Sequence, residues 1–401
     1  MYKLGDRIST KKAKELFGAI RKQATVSKLD LLEQSGLTSS TLTRMLDELI
    51  EGGWIEEGGH GESSGGRRPV LYRVRRDAAY AFGLDISRAA SKLVLCDLQL
   101  DQLDSVYWEM TERMTSAVLV EQVAEAIGRL QEKHRLPTER LLGIGIGSVG
   151  PLDRGKGTIL NPSYFPAPGW HQVPIVAMLE QATDLPVVLD NGANTALLAE
   201  YWAGSPNEYR HLLYVRAGVG LRSAMISNGQ LVYGAVDMEG SIGQMIIQTD
   251  GRPHRERPHV YGCLESYVSI PVLEDQARSL LKQGRRSVLS EIVTDPEHVE
   301  FSHLLHALRQ DDRLVTELFL QAATYFGIGL SNLMNILHPE RIILGGPLIT
   351  SNELFYQTST QVALKNTMYY PAYPVSFSRG RLSDEALAVG AAAMIVNQLS
   401  E

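Results

Sequence analysis

Residues 189 to 200, "LDNGANTALLAE", bring a carboxylate and an amide together as Asp190 and Asn191. A carboxylate can take a proton from a hydroxyl, and an amide can donate to a hydroxyl and accept from it. The apolar run "LPVVL" before them and the helical pattern after them predict a strand-to-helix corner, where open α/β sheets keep their reactive groups. Between Asn191 and Ala193 stands Gly192, with no side chain to contribute. A second set lies near the N-terminus, with Ser39, Ser40, Thr41, Thr43 and Arg44 close together and Arg67 and Arg68 beside glycines. Hydroxyl and guanidinium groups donate to phosphates and base edges, and arginine is the usual partner of guanine. A third set, His254, His259 and Cys263, offers nitrogen and sulfur donors of the kind zinc takes.

The N-terminal set needs helices to present it. In "TKKAKELFGAIRKQ", residues 10 to 23, Ala13, Leu16, Phe17 and Ile20 recur at helical spacing with Lys and Arg opposite. Ser27 with Asp30 three positions on predicts the capped start of a second helix, and Ser35-Gly36 breaks it. Thr38 then caps a third, whose apolar side is Leu42, Met45, Leu46, Leu49 and Ile50. Two short helices about a tight glycine-containing turn match the helix-turn-helix layout, in which the second helix enters the major groove. "GWIEEGGHGESSGGRRPVLYRV" follows as strand, glycine-rich loop and strand, a wing with Arg67 and Arg68 at its tip, able to approach a narrow minor groove. Exposed hydroxyls alone would equally suit a solvated helix face; their distance from the wing favours a winged helix.

Charge divides at the same place. Residues 1 to 76 hold 14 Lys+Arg against 10 Asp+Glu, a local +4, which leaves 25 against 36, or −11, for the rest of a chain whose net charge is −7. A basic head on an acidic body points to separate tasks. At 401 residues, 44% hydrophobic and 21% charged, the chain is too long for one ordinary core and too apolar to be disordered. Two cysteines, Cys96 and Cys263, cannot build a disulfide framework and are expected as reduced thiols. No apolar stretch approaches the roughly 18 residues that span a bilayer, and the start "MYKLGDRIST" lacks a secretion signal's apolar core, so a cytoplasmic protein without membrane partners is expected.

Beyond "RVRRDAAYA", strands and helices alternate as in an α/β body. "AFGLDISRAASKLVLCDLQLD" reads as a strand pair, "LLGIGIGSVGPLD" as a buried strand ending in a glycine turn, and "HLLYVRAGVGLRSAMISNGQLVYGA" as a similar opening to a second half. That weak internal repeat suggests two related lobes. The order "GLDIS", "GIGIGSVGPLD", "NPSYFPAPGW", "LDNGAN", "GVGLRSAMISNGQLVYGA", "EGSIGQ", "GCLE", "ILGGPL" and "DEALAVGAAA" resembles the ROK family of repressors, open reading frames and kinases. The resemblance implies an α/β, two-lobed, ribonuclease-H-like actin and sugar-kinase fold, with sugar held in the cleft between the lobes. With the head, the expected organisation is a winged helix-turn-helix domain over 1–78, a first lobe over 79–195 and 382–401, and a second over 196–381.

Kinases of that family set four requirements. A phosphate turn similar to Asp-x-Gly-x-Thr reads here Asp85-Ile86-Ser87-Arg88-Ala89, without the glycine that lets backbone approach phosphates. A Gly-Thr-Gly turn reads Arg216-Ala217-Gly218-Val219-Gly220, and an adenosine-side pair is retained as Gly345-Gly346. The fourth is a corner resembling Asn-Asp-Ala-Asn, whose aspartate takes the sugar hydroxyl's proton; its place is held by Gly192. Loss of a general base costs about 10² to 10⁴ in rate. Asp190 does not replace it, because two positions along a strand displace a carboxylate by roughly 6 Å. A degenerate kinase without catalysis is expected.

The resemblance also implies a zinc site, but its histidine position is Gln244, and counting back from Cys263 its two earlier cysteine positions are Glu256 and Pro258. A metal-free loop without cofactor is expected, with a rearranged site of His254, His259 and Cys263 as the alternative. Asn161, Asn191 and Glu265 match sugar-binding positions of the family, and Ser241 and Gln244 replace its glutamate and histidine, implying an altered pocket for a sugar or sugar derivative. Together these features predict a DNA-binding repressor, homodimeric as in the family, on a palindromic operator. The alternatives are a sugar kinase with a DNA-binding head, and a regulator driven by a protein partner.

Overall fold

The computed structural model describes residues 7–61, 68–204, 208–235, 241–373, 375–382 and 385–400. Helix α1 (Lys11–Arg21) is capped by Thr10, whose hydroxyl accepts from the Ala13 N–H. Strand β1 (Val26–Ser27) enters α2 (Lys28–Ser35) through a reciprocal Ser27–Asp30 capping box, and Gly36 closes that helix at φ 61°, a conformation glycine adopts without strain. Thr38 caps α3 (Ser39–Glu51), which buries Leu42, Met45, Leu46 and Leu49. Ile50, expected on the same side, is 36% exposed, because one residue past Leu49 turns the helix by about 100° and off the apolar stripe. Strands β2 (Ile55–His60) and β3 (Val70–Val74) pair antiparallel, giving the sheet order β1-β3-β2. Arg67, expected at the tip between them, lies outside the described residues.

The chain forms two compact units. One comprises Met1–Glu208, Ala235–Asp237 and Glu385–Glu401, the other Tyr209–Gly234 and Met238–Asp384. In the first, β4 (Tyr80–Ile86), β5 (Ala90–Asp97) and β6 (Gln102–Glu109) form an antiparallel meander. Helix α4 (Ser116–His134) crosses to β7 (Leu141–Ser148), parallel to β4, and the ribbon β8 (Leu152–Asp153) and β9 (Thr158–Ile159) and helix α5 (Ile175–Thr183) lead to β10 (Val187–Asn191), parallel to β7. Helix α6 (Gly192–Ala203) follows without a break, so the first unit runs on past residue 195, where the sequence had suggested a boundary.

The second unit repeats the plan. Strands β11 (Leu212–Ala217), β12 (Leu221–Ser227) and β13 (Gln230–Leu231) are antiparallel. Helices α7 (Ile270–Lys282), α8 (Leu289–Ile292), α9 (Phe301–Arg309) and α10 (Arg313–Leu337) precede β14 (Arg341–Gly345), parallel to β11; α11 (Pro347–Thr350) and α12 (Glu353–Lys365) then lead to β15 (Ser376–Ser378), parallel to β14. The sheet orders, β10-β7-β4-β5-β6 and β13-β12-β11-β14-β15, place three antiparallel and then two parallel strands alike. The weak repeat in the sequence is thus a repeat of topology.

Contrary to the sequence expectation, α10 is long and apolar enough to cross a bilayer by length and composition. Its Val315, Phe319, Phe326 and Leu330 are instead fully buried in the second unit's core. The chain returns to the first unit as α13 (Ala386–Asn397). A Cβ on Gly83 of β4 or Gly145 of β7 would overlap the α13 carbonyls of Ala388 and Ala391, so only glycine lets this helix lie directly on the sheet.

Candidate functional site

Register places the polar ends of the first unit's parallel strands abreast. Asp85 of β4 and Asp190 of β10 flank Gly147, and one residue on Ile86 and Asn191 flank Ser148. The carboxyl ends of parallel strands are where open α/β sheets bind ligands. Asn191 Oδ1 accepts from the Asn194 N–H at 2.8 Å and so caps α6. Asp190, 3% exposed, accepts at Oδ1 from the Asn191 N–H at 2.7 Å and from Asn194 Nδ2 at 2.9 Å. It therefore holds the corner together. Gly192 opens α6, and a Cβ there would lie 3.0 Å from Leu387 Cδ2 of α13.

The neighbouring turn is filled by side chains. Ser87 Oγ donates to Asp85 Oδ1 at 2.7 Å, and Arg88 Nε donates to the Ser163 carbonyl at 2.7 Å. Asn161 is exposed, and its Oδ1 accepts from His171 Nδ1 at 2.7 Å. His171, ten residues on, carried no signal in the sequence.

In the second unit Glu265 Oε2 accepts from the Leu221 N–H at 2.8 Å, and Arg222 Nη1 stands 3.6 Å away. Gly220 and Gly243 leave room for this carboxylate: a Cβ on either would fall 2.9 or 2.8 Å from Oε2. The glycine turn over Gly218–Gly220 here shelters a side chain, and β11 ends beside it with Arg216 paired to Arg222 across the hairpin. Gln244 accepts at Oε1 from the Arg257 guanidinium, a partner that sequence reading did not find, and Ser241 is exposed.

The rearranged set of zinc donors does not fit an ion. Buried His254 accepts at Nδ1 from the N–H groups of Glu256 (3.1 Å) and Arg257 (3.2 Å). Its proton is then on Nε2, which faces Glu265 Oε1 at 3.6 Å. Cys263 is buried with Sγ 3.1 Å from Ser266 Oγ, and His259 is exposed. Among the described residues no three His, Cys, Asp or Glu side chains are grouped to hold a metal, so the alternative of His254, His259 and Cys263 is not assembled. The Arg257–Gln244 contact and the His254 cap organise this loop instead.

In the head, Ser39, Ser40 and Arg44 are exposed on α3, while Thr41 and Thr43 are half-buried. Thr43 Oγ1 donates to the Ser39 carbonyl at 2.7 Å and accepts from Lys28 Nζ at 2.6 Å; Thr41 Oγ1 lies 2.8 Å from Thr38 Oγ1. Arg68 is exposed at the base of the loop between β2 and β3.

Known proteins match this arrangement along most of its length. The profile of the ROK family matches residues 81–398. A xylose repressor of Caldicellulosiruptor bescii is 29% identical over 378 residues, 93% of this chain and 92% of that protein. Among solved structures, a ROK family transcriptional regulator described as a homolog of the E. coli MLC protein superposes with TM-score 0.80 at 20% identity, covering 98% of each chain. A ROK family glucokinase from Streptomyces griseus, in complex with glucose and AMPPNP, superposes with TM-score 0.66 at 23% identity, covering 79% of this chain and 99% of the other.

Proposed function

The chain belongs to the ROK family, and on that premise we propose that it is a sugar-sensing transcriptional repressor whose kinase-like body does not phosphorylate its ligand. The observation that carries this is the extent of likeness: similarity to a xylose repressor runs through head and body, whereas the glucokinase covers 79% of the chain. The head, three helices and a β2–β3 hairpin, is assigned as a winged helix-turn-helix, with α3 in the major groove through Ser39, Ser40, Thr41, Thr43 and Arg44, and with Arg67 and Arg68 on the wing. Asn161, Asn191, Ser241, Gln244 and Glu265 are assigned to the effector's hydroxyls, and no metal or cofactor is needed. Gly192 in the general base's place and side chains in the phosphate turn support the absence of catalysis. Two heads of a homodimer would read a palindromic operator, and on this reading the protein would work in the cytoplasm, where the DNA is.

The test is footprinting of the full chain on the DNA flanking its own gene, with and without D-xylose, beside an ATP-coupled assay on a sugar panel. Sugar-dependent protection without turnover is expected. Phosphorylation of any sugar, or no protection of any duplex, overturns the reading.

A further inference from the structure

Arginine 21 ends α1, in the head, yet it is 8% exposed. Its Nη1 donates to Asn397 Oδ1 at 2.7 Å, and its guanidinium carbon lies 4.0 Å from the centroid of the Trp202 ring. Nη2 has no partner among the described residues, and neither has Trp202 Nε1. Burial lowers the guanidinium from 12.5 to about 9, which leaves it charged at neutral pH. A buried charge with one hydrogen bond and one ring is a weakly compensated contact, and such contacts are sensitive to small displacements.

Both partners are the far ends of helices that begin at the Asn191 corner. Trp202 lies in the last turn of α6, and Asn397 is the last residue of α13. The two helices run parallel in one register: Leu387 meets Gly192, Gly390 abuts Thr195, and Asn397 joins Trp202 at Arg21. A side chain on Gly390 would overlap the Thr195 carbonyl, so the helices touch backbone to backbone and cannot slide independently. At one end of this pair Asn191 caps α6; at the other stands the head's own arginine.

We propose that Arg21 is the positioning residue through which α6 and α13, moving as one pair, report the state of the Asn191 corner to the head. This rests on the reading of Asn191 as an effector contact and of the head as the DNA-binding part. Two measurements separate the proposal from that reading. The first compares operator affinity of the full chain with and without saturating D-xylose. The wild type is expected to change by about 5- to 150-fold, and Arg21→Met to keep sugar-free binding while its ratio falls toward one. Trp202→Leu, which removes the ring and keeps the arginine, gives the same result and serves if Arg21→Met fails to fold. A wild-type ratio in both variants overturns the proposal.

The second needs neither sugar nor DNA. Asn191→Ala is expected to speed amide hydrogen exchange in Lys11–Arg21 when Arg21 is present, and to leave it unaltered in an Arg21→Met or Trp202→Leu background. Equal acceleration in both backgrounds, or none in either, overturns the proposal. A wild type indifferent to sugar overturns the sensing reading, and the exchange cycle then decides the role of Arg21 by itself.

Discussion

Position 192 sits in the first turn of α6, where a carboxylate is electrostatically favoured by the unsatisfied N–H groups of the helix. Space there is tight but adjustable, since the nearest atom to an added Cβ is the end of the Leu387 side chain. Gly192→Asp is therefore expected to fold and to set a carboxylate at the place proposed for the missing general base. On the proposed reading it would not create a kinase, because Ser87 and Arg88 are tied to Asp85 and Ser163 in the turn proposed to stand where a kinase would need open backbone for phosphates. An ATP-coupled assay of Gly192→Asp on D-glucose and D-xylose should stay at background. Sustained turnover would mean that one carboxylate was all the site lacked.

At the scale of elements, what the sequence made legible is what a few neighbouring residues decide. The Ser27–Asp30 box, the Gly36 stop and the Thr38 cap are local, and each stands where its spacing put it. The partnerships of Gln244 with Arg257, Asn161 with His171 and Arg21 with Asn397 join residues 13, 10 and 376 positions apart with no periodicity to betray them. The depth of α13 belongs to the same class: "DEALAVGAAA" marks the family, but only the sheet glycines say how close the helix comes. Gly145→Ala sets a methyl against a carbonyl that cannot move alone, so a loss of about 1–3 kcal/mol is expected in denaturant unfolding. A midpoint unchanged from wild type would place α13 farther from β7.

Acid stability provides a second check on elements. Lys133 and His134, in the last turn of α4, both bond Asp104 of β6 at 2.7 Å and hold its carboxyl down from 3.8 to about 2. A depressed carboxylate stabilises fully above its unfolded value and loses that contribution as pH falls through the folded one. Asp104→Asn should thus be less stable than wild type at neutral pH, with the gap closing between pH 4 and pH 2. Urea titrations across that window measure it, and a constant gap would show that Lys133 and His134 do not act through the carboxylate's charge.

For the whole molecule, the division of charge separates two kinds of DNA contact. With +4 on residues 1 to 76 and −11 on the rest, a duplex would be attracted to the head and not to the body, and such attraction is indifferent to sequence. On the proposed reading, selectivity would come chiefly from the exposed groups of α3, foremost Arg44, because the hydroxyls of Thr41 and Thr43 are engaged with Thr38, Ser39 and Lys28 in the free protein. Arg44→Ala should weaken binding to the operator by about 1–3 kcal/mol while changing affinity for unrelated duplex far less. Arg68, exposed between β2 and β3, would have the opposite signature on the same reading. Its loss should weaken all duplexes alike and flatten the dependence of log K on log salt by about one unit. Titrating both variants against operator and random duplex at several salt concentrations resolves the two roles, and a uniform loss for Arg44→Ala would move sequence reading off α3.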